Sequence, residues 1–382
     1  MIRWWKSKTI TKLVYCWQRF RVGWWNSRGK NREARMIRRQ FYHSIWRDAA
    51  KRFDAEMTVL SGDIVEVVRE GYRVRFLQND TPLDDYVTLK VAADKPLTYR
   101  LMQDEGIATA PFAVFSLDNI EKGLRFLDET EGDCIVKPAQ GWGGVGVTTG
   151  IKTHAQLATA AAAASVYGGE IIVQKQVYGD CYRIVFLNGK LLDAVVRRSP
   201  SVMADGTRTV SQLVEQLNQR RLEQGSNLSQ ALLSTDLDMK STLTQQGLSL
   251  ASQPSKGTVV RLKTVINDNC ATENATATDM LCESIIRDCA AAAEVVGVHL
   301  AGVDIITPDP TVPLKEAGGA VIEVNTAPGQ YWHYHKGDGV FPLADHILGH
   351  LLAESPECGL ESEEVEALLN NTSAASRFSS VS

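Results

Sequence analysis

Three oxygen-bearing side chains stand in two short apolar segments near the C-terminal end of the chain. Asp304 lies in the segment 302–306, and Glu323 and Asn325 lie in the segment 321–325. Both segments are rich in Val and Ile and are bounded by Gly and Pro, which predicts two short strands. Side chains alternate along a strand, so Glu323 and Asn325 share a face, and pairing as a hairpin would bring Asp304 to them. Carboxylate and amide oxygens suit a hard cation such as Mg²⁺, which usually accompanies phosphate chemistry.

A second chemical feature is a lysine followed by a glycine-rich loop. Lys137 ends an apolar segment, and four glycines follow it closely: Gly141, Gly143, Gly144 and Gly146. A cation beside backbone N–H groups that no side chain obstructs can hold phosphate oxygens. The loop is not a Walker loop, because no Gly-Lys-Ser/Thr follows. Taken alone, an ordinary glycine-rich hairpin turn is the better explanation.

Lys95 and the segment 172–177 are further candidates for nucleotide binding. Lys95 lies at the start of a predicted helix, where a lysine is more often solvated surface than ligand. The segment 172–177 contains Gln174, Lys175 and Val177 and is followed by Asp180. It could present main-chain groups to an adenine, and Asp180 could present a carboxylate to ribose hydroxyls. A core strand followed by a turn is the simpler explanation of these residues taken alone.

The remaining pattern predicts the elements that position these residues. Residues 57–90 alternate between apolar and polar side chains around Gly71, which predicts a small hairpin-like β region. Asp94-Lys95-Pro96 opens a helix that Gly106 closes. Asn188-Gly189 between two apolar segments is a strong hairpin signal. Further strands are predicted at 113–115, 134–138 and 171–177, and helices at 117–129, within 210–250 and at 279–297.

The composition is that of a globular protein. The 382 residues are 44% hydrophobic and 23% charged, and no apolar segment approaches the length of a membrane-spanning helix. The seven cysteines contain no Cys-x-x-Cys pair, so we expect neither a disulfide framework nor structural zinc, and we do expect a reducing compartment. We therefore predict a cytoplasmic protein of two or three structural units, with peripheral membrane attachment left open.

The first 53 residues differ from the rest of the chain. They carry 15 Lys and Arg against 2 Asp and Glu, a net charge of +13, and they contain six of the eight tryptophans. Three explanations stay open: an amphipathic helix within residues 1–40 on an anionic membrane surface, an organellar transit peptide, or a basic helix packed on the acidic remainder or on a partner. Nucleic-acid binding is not expected, because no recognisable nucleic-acid fold follows.

The order of these features resembles the sequence layout of the ATP-grasp superfamily. A lysine, a lysine with a glycine loop, an apolar edge strand with a trailing acid, and Asp…Glu-x-Asn follow one another. More narrowly, residues 90–350 resemble the ATP-grasp region of cyanophycin synthetase and of the fused glutathione synthetases. The matching stretches are Asp94-Lys95, Gly106–Pro111, Ile135–Pro138, Tyr182-Arg183, Arg198–Pro200, Asp205-Gly206, Thr209–Leu213, Gly302–Asp304 and Gly319–Gly329.

The resemblance implies an α+β fold in which two lobes clamp ATP. Lys95 and Lys137 would hold phosphates, and residues 141–146 would close over them as a lid. The adenine would meet Gln174, Lys175 and Val177, and the ribose would meet Asp180. Two Mg²⁺ ions, with Mn²⁺ as the alternative metal, would be held by Asp304, Glu323 and Asn325. The resemblance also implies that a substrate carboxylate attacks the γ-phosphate and that an amine captures the acyl phosphate, giving an amide, ADP and phosphate.

Two arginines and a histidine are candidates for substrate contacts. Arg183 and Arg198 could steady the acyl phosphate or bind a substrate carboxylate, because guanidinium groups match such anions bidentately. His333 follows Asn325 in the expected substrate region, and an exposed structural histidine is the alternative. The chain also departs from the relatives: Gln174 stands where Glu is usual, residues 267–272 replace a Ser-Thr-Gly-Gly segment, and residues 330–333 replace a segment that contains arginine.

These observations predict four parts of the chain. They are a basic Trp-rich extension over residues 1–53, a small linking region over 54–115, an ATP-grasp domain over 116–352 and a disordered tail over 353–382. The predicted activity is the ATP- and Mg²⁺-dependent joining of an amino acid, peptide or related small acid to an amine. Two alternatives keep the nucleotide site: a phosphotransferase-like variant and a non-catalytic nucleotide-binding or membrane-tethered module. The identities of the acid and the amine, and any homo-oligomer, are left open.

Overall fold

Four antiparallel sheets with packed helices make up the part of the chain that the computed structural model describes, residues 29–141, 144–223, 232–264 and 274–376. The fold is α+β, as predicted. The basic amphipathic segment within residues 1–28 and the substituted segment 267–272 lie outside the described residues.

The N-terminal part consists of one long helix and a three-stranded sheet. Helix α1 spans Gly29–Arg52, and strands β1 (Glu56–Ser61), β2 (Ile64–Arg69) and β3 (Tyr72–Leu77) follow in that order across the sheet. Aromatic and aliphatic side chains of α1 recur every three or four residues and face the protein core, which explains why the segment is helical. Trp46 is fully buried and stacks on Phe76 of β3, with 3.8 Å between ring centroids.

Helix α1 is therefore part of the folded body and not a separate extension. Arg52 pairs with Asp345 at 2.6 Å, which joins the basic helix to an acidic residue far along the chain. Three explanations were open for the basic N-terminal region. For residues 37–53 the structure supports the third, a basic helix packed on the acidic rest of the same chain. The predicted boundary at residue 53 cuts through one hydrophobic core, because Phe53 and the strands after it belong to the same cluster.

A four-stranded sheet forms the next layer. Helices α2 (Tyr86–Ala93) and α3 (Lys95–Asp104) precede β4 (Phe112–Phe115), a 3-10 turn (Leu117–Asn119) and α4 (Ile120–Glu129). Then come β5 (Cys134–Pro138), β6 (Thr148–Ile151), α5 (His154–Ala164) and β7 (Ile171–Lys175). The strand order is β4-β7-β5-β6, and the core between this sheet and helices α4 and α5 contains Leu127, Leu157 and several alanines of α5.

Strand β7 lies inside this sheet, so the prediction of an edge strand was wrong. Gln174 of β7 is registered with Phe112 on one side and with Ile135 on the other. The alternation of apolar side chains cannot distinguish an inner strand from an outer one, since both have a buried face. Main-chain groups that could meet a base must therefore come from the residues after Lys175.

A five-stranded sheet forms the centre of the molecule. Strands β8 (Asp180–Leu187) and β9 (Lys190–Arg197) form the predicted hairpin, and Asn188 and Gly189 have the positive φ angles, 47° and 75°, that its two-residue turn requires. An insertion follows, made of β10 (Ser201–Met203), α6 (Val210–Glu223), α7 (Leu237–Gln245) and β11 (Val259–Arg261). Strands β10 and β11 pair with each other and pack against α6 and α7.

The remaining elements complete the central sheet. They are β12 (Asn274–Thr276), a 3-10 turn (Thr278–Met280), α8 (Glu283–Val296), β13 (Leu300–Thr307), α9 (Leu314–Ala317) and β14 (Ala320–Thr326). The strand order is β12-β9-β8-β13-β14. Helices α3 and α8 cover one face through Tyr99, Met102 and the apolar side of α8. Gly297 ends α8 in the left-handed conformation, at the C-terminal limit of the helix predicted over 279–297.

The C-terminal part is ordered further than the sequence predicts. After α10 (Tyr331–Tyr334) come α11 (Leu343–Ala353), a 3-10 turn (Pro356–Cys358) and α12 (Ser362–Ser376). Val365 of α12 is buried in the same core as Phe53. The prediction of disorder over 353–382 is therefore contradicted for residues 353–376. The reason is that an acidic and polar helix can still bury one apolar stripe. Residues 377–382 lie outside the described residues. None of the helices in the described ranges is long and apolar enough to cross a membrane.

Candidate functional site

A cavity of about 380 Å³ lies between the four-stranded sheet, the middle of β14 and the insertion after β9. Its walls contain most of the nucleotide-binding residues that the sequence predicts: Lys95, Lys137, Gly141, Gly144, Gln174, Lys175, Val177, Asp180 and Glu323. These residues come from segments more than two hundred positions apart in the chain. The fold therefore brings together side chains that the sequence connects only by their order.

Lys137 is the buried cation of this cavity. It lies on β5, is only 5% exposed, and donates a hydrogen bond from Nζ to the hydroxyl of Tyr99 at 2.6 Å. Burial lowers the pKa of Lys137 to about 8, although the nearby charge of Glu323 acts in the opposite direction. A lysine whose charge is poorly solvated gains from a polyanion placed beside it.

Tyr99 holds this lysine in place and was missed by the sequence analysis. Its hydroxyl donates to the carbonyl oxygen of Ile322 at 2.6 Å while it accepts from Lys137. That carbonyl is available because a β-bulge leaves Ile322 without a partner residue on β13, between the pairs Asp304–Glu323 and Ile305–Val321. Tyr99 follows Lys95 by four residues on α3, so helical spacing places both on one side of that helix.

Lys95 joins the glycine loop to strand β14. Asp94 caps the helix by accepting from the N–H of Leu97 at 3.0 Å, which places Lys95 at the first turn. Its Nζ lies 3.1 Å from Oε1 of Glu323 and donates to the carbonyl oxygen of Gly141 at 2.6 Å. The ammonium group therefore lies between the loop and the carboxylate that faces the cavity.

The glycine loop lies between β5 and β6, and its described residues Gly141 and Gly144 line the cavity. Gly141, Gly144 and Gly146 all have positive φ angles, which other residues rarely adopt. At Gly146 a Cβ atom would lie 2.8 Å from the ring of Tyr167 and 3.0 Å from Pro138, so the loop also needs glycine for space. Gly143 lies outside the described residues. The role of the loop as a lid stays a prediction.

The predicted adenine and ribose contacts lie at the end of β7. Gln174 is buried and donates from Nε2 to the carbonyl oxygen of Ala110 at 3.3 Å. Lys175 is exposed, and Val177 and Asp180 line the cavity beyond it. The N–H groups of Lys175 and Gln176 donate to other main-chain carbonyls, which leaves the residues from Val177 onward to present main-chain groups.

Strands β13 and β14 bring Asp304, Glu323 and Asn325 together as predicted from their alternation. Asp304 is registered opposite Glu323, and Asn325 opposite Gly302. The Nδ2 of Asn325 donates to the carbonyl oxygen of Gly302 at 3.1 Å and lies 3.4 Å from Oδ2 of Asp304. Of the three, only Glu323 lines the cavity.

Asp304 is surrounded by two arginines. Arg183, opposite it on β8, binds both carboxylate oxygens, with Nη2 to Oδ2 at 2.8 Å. Arg197 of β9 places Nη2 2.7 Å from Oδ1. Burial alone would raise the pKa of Asp304, but the charges and hydrogen bonds of the two arginines hold it below its usual value. Asp304 is therefore a fully buried anion between two cations.

The residues fit a divalent ion at Glu323 and do not fit one at Asp304. Glu323 offers carboxylate oxygens to the cavity, and such oxygens are what Mg²⁺ prefers. Both oxygens of Asp304 are already bound to guanidinium groups. Among the described residues, no group of three or more His, Cys, Asp and Glu is arranged to hold a metal ion. The predicted metal role of Asp304 is therefore not supported by its contacts.

Of two neighbouring arginines, Arg197 faces Asp304 and Arg198 is exposed outside the cavity walls. Arg198 was predicted to contact substrate because a guanidinium group matches anions bidentately, and it lies in a stretch that resembles the ATP-grasp relatives. Adjacent side chains on a strand point to opposite faces, so only one of the pair can reach Asp304. Arg183 is placed as a cation beside Asp304, and its contact with substrate stays a prediction, as does that of Arg198.

Three further residues line the cavity from the insertion: Ser199, Arg261 and Thr264. Arg261 ends β11 and is exposed toward the cavity. No motif identified it in the sequence, because its position depends on how the insertion folds back over the cavity. It adds a further positive side chain to the walls.

His333 is buried, and the alternative of an exposed structural histidine was wrong. Its Nδ1 lies 2.7 Å from Oδ2 of Asp193, which also binds Nζ of Lys336 at 3.0 Å. Burial lowers the pKa of His333 despite the charge of Asp193. This cluster lies outside the cavity walls and connects α10 to β9.

Comparison with known proteins supports the ATP-grasp resemblance. No protein-family model matches the chain. Cyanophycin synthetase of Trichormus variabilis is 27% identical over 313 residues, which cover 78% of this chain and 34% of that protein. The glutathione biosynthesis bifunctional protein GshAB of Streptococcus agalactiae is 28% identical over 298 residues, which cover 76% of this chain and 38% of that protein. The chain thus spans little more than a third of these relatives.

The fold comparison agrees with the sequence comparison. The crystal structure of a bifunctional glutathione synthetase from Pasteurella multocida superposes with a TM-score of 0.51 at 21% identity, covering 80% of this chain and 43% of that one. The fold is therefore the ATP-grasp fold, and the predicted resemblance to cyanophycin synthetases and fused glutathione synthetases is confirmed.

Proposed function

We propose that this protein is an ATP- and divalent-metal-dependent carboxylate–amine ligase that forms an amide through an acyl phosphate. The observation that carries the proposal is the cavity, in which Lys95, Lys137, the glycine loop and Glu323 surround one space. Relatives of two kinds, named for making cyanophycin and glutathione, support the same reaction class.

The charges of the cavity suit a nucleotide polyphosphate. Lys95, Lys137, Lys175 and Arg261 are positive, and Asp180 and Glu323 are the carboxylates in its walls. Positioning and fixed positive charge supply most of the catalysis in phosphoryl transfer. A divalent ion held by Glu323 would neutralise phosphate charge when bound. The count of two ions and the Mn²⁺ alternative remain predictions.

Amino acids or peptides are the substrates that we propose. Glutathione is itself a peptide, and a synthetase for it joins a carboxylate to an amine. Arg183 is bound to Asp304 and lies outside the cavity walls, whereas Arg261 is exposed in them, so we propose that Arg261 meets an anionic substrate group. The identity of the acid and of the amine is a separate question, because residues 330–333 differ from the pattern of the relatives.

The test is a substrate screen with the purified full-length chain. Protein, ATP and Mg²⁺ are incubated with pools of amino acids and dipeptides, and phosphate release and product mass are measured. The expected result is phosphate release that depends on one pool, together with a product whose mass is the sum of two substrates minus water. Lys137→Met should lose this activity, and Lys122→Met, which removes an exposed lysine of α4 outside the cavity walls, serves as the control.

Other outcomes distinguish the alternatives. A stable phosphorylated acceptor without amide product would indicate a phosphotransferase. Nucleotide binding with no substrate-dependent turnover in any pool would indicate a binding module. Failure to bind ATP at all would overturn the site assignment.

We also propose that residues 1–28 contact an anionic membrane surface. Buried residues from Ile37 to Phe53 belong to the hydrophobic core. The membrane contact predicted for residues 1–40 is therefore proposed only for the basic residues before helix α1. The full-length chain should bind liposomes that contain anionic lipid, and the variant lacking residues 1–28 should not. Equal binding by both would overturn this role, and so would the absence of binding by the full-length chain.

A further inference from the structure

The carboxylate of Asp304 has all of its acceptor positions in use. Its Oδ1 accepts from Nε of Arg183 and from Nη2 of Arg197, and its Oδ2 accepts from Nη2 of Arg183. The amide nitrogen of Asn325 lies 3.4 Å from Oδ2 on the remaining side. A carboxylate offers about four acceptor sites, so a cation could bind Asp304 only by displacing one of these groups.

Displacement is opposed by how tightly the two arginines are packed. Arg197 is 1% exposed, and its Nη2 also lies 3.0 Å from Sγ of Cys181. The side chain of Arg183 extends from β8 over Gly302 of β13, and a Cβ atom on Gly302 would come 3.2 Å from Nη1 of Arg183. Both guanidinium groups are therefore almost entirely enclosed by protein. A buried charge left without its partner is strongly unfavourable.

The local charge also disfavours a second cation. Two guanidinium groups already face one carboxylate, so this part of the site carries an excess of positive charge before any ion arrives. Glu323 differs, because its carboxylate faces the cavity and its one ion-pair partner among the described residues is Lys95, 13% exposed at the cavity wall. A lysine on a flexible stem can move toward a phosphate and release the carboxylate.

We infer that this chain binds one divalent ion with its nucleotide, through Glu323, and that Arg197 supplies the positive charge on the Asp304 side that a second ion would otherwise supply. The inference rests on the proposed function, since it concerns the metal that accompanies ATP. It revises the expected pair of ions that Asp304, Glu323 and Asn325 would share. The residue responsible, Arg197, is the neighbour of the arginine that matches the relatives.

The experiment counts Mn²⁺, used as the probe ion, on the full-length chain. Equilibrium dialysis with a saturating non-hydrolysable ATP analogue measures bound nucleotide and bound Mn²⁺ together, and electron paramagnetic resonance separates bound from free ion. The expected result is about one nucleotide and about one Mn²⁺ per chain. Two Mn²⁺ ions per bound nucleotide would overturn the inference and leave the proposed function standing. Absence of bound nucleotide would overturn both.

Two variants separate the roles of the carboxylates. Glu323→Gln should weaken Mn²⁺ binding by at least about tenfold with little change in thermal stability. Asp304→Asn should do the reverse, lowering the melting temperature because two buried guanidinium groups lose their anion, with Mn²⁺ affinity changed by less than about threefold. If Asp304→Asn is folded and loses Mn²⁺ binding as Glu323→Gln does, Asp304 is a ligand and the inference is wrong. If Asp304→Asn does not fold, the Mn²⁺ count on the unmodified chain still decides.

Discussion

Raising the pH through 8 should weaken nucleotide binding, and Lys137 is the reason. Its side chain is buried in the cavity wall and its Nζ donates to Tyr99. Burial lowers its pKa from 10.5 to about 8, so the ammonium loses its proton within an accessible pH range. A neutral amine no longer attracts a phosphate oxygen as a charge.

The size of the effect follows from the pKa. Nucleotide affinity should be nearly constant below pH 8 and should fall by up to about tenfold for each pH unit above it, or about 1.4 kcal/mol per unit. The difference between 10.5 and about 8 corresponds to roughly 3 kcal/mol in favour of the neutral amine in the free protein. A bound phosphate should offset much of this free energy, because its negative charge stabilises the ammonium form of Lys137.

The same pKa determines how Lys137 affects folding stability. The folded state holds this proton less tightly than the unfolded state, whose lysine keeps the ordinary value of 10.5. The burial cost is therefore fully present below pH 8, and it decreases as the pH rises from about 8 toward 10.5, where the unfolded chain binds more protons. Lys137 thus favours stability at high pH and nucleotide binding at low pH.

Calorimetric titration with MgADP, which is not hydrolysed, measures this effect. Titrations at about pH 7 and about pH 9 in buffers of different ionisation enthalpy give the affinity and the protons taken up, and uptake should approach one proton at the higher pH. Lys137→Met should bind weakly at both pH values without proton uptake. Lys175→Met, which removes an exposed lysine of the same cavity, should keep the pH dependence. An affinity of the unmodified chain that is flat from pH 7 to 9 would refute the reasoning.

Three further predictions concern stability and are measured by urea unfolding. Trp46→Ala should lower the free energy of unfolding by about 3–5 kcal/mol, because the ring is fully buried against Phe76. Met36→Ala, at an exposed position of the same helix, should lower it by less than about 0.5 kcal/mol. Equal losses would mean that α1 is not part of the core. Gly302→Ala should cost about 1–3 kcal/mol, because a Cβ atom would lie 2.7 Å from Pro328, and Gly168→Ala, which meets nothing within 4 Å, should be nearly neutral. A neutral Gly302→Ala would contradict the close packing of Pro328 and Arg183 at this position. Val365→Asp should lower the free energy of unfolding by at least about 2 kcal/mol and expose α12 to proteolysis, because it buries a charge beside Phe53. Unchanged protease resistance would show that this contact is absent.

Much of the candidate site follows from local sequence patterns. The shared face of Glu323 and Asn325, the closeness of Asp304 and the turn at Asn188-Gly189 all follow from strand alternation and from turn geometry. The helix that carries Lys95 and the glycine loop after Lys137 follow from capping and composition. These features depend on residues close to one another in the chain, so their spacing predicts them.

Long-range pairing decided the rest. Whether Arg197 or Arg198 reaches Asp304 depends on the register of β9, β8 and β13, and Arg183 and Asp304 are 121 positions apart. The inner position of β7, the burial of α1 and the ordering of α12 depend in the same way on which surfaces meet. A sequence pattern shows that a face is apolar or charged, and it does not show which distant face will cover it. For that reason the amino-acid order predicts where the nucleotide site lies, and the folded chain alone shows that Asp304 is paired with arginines.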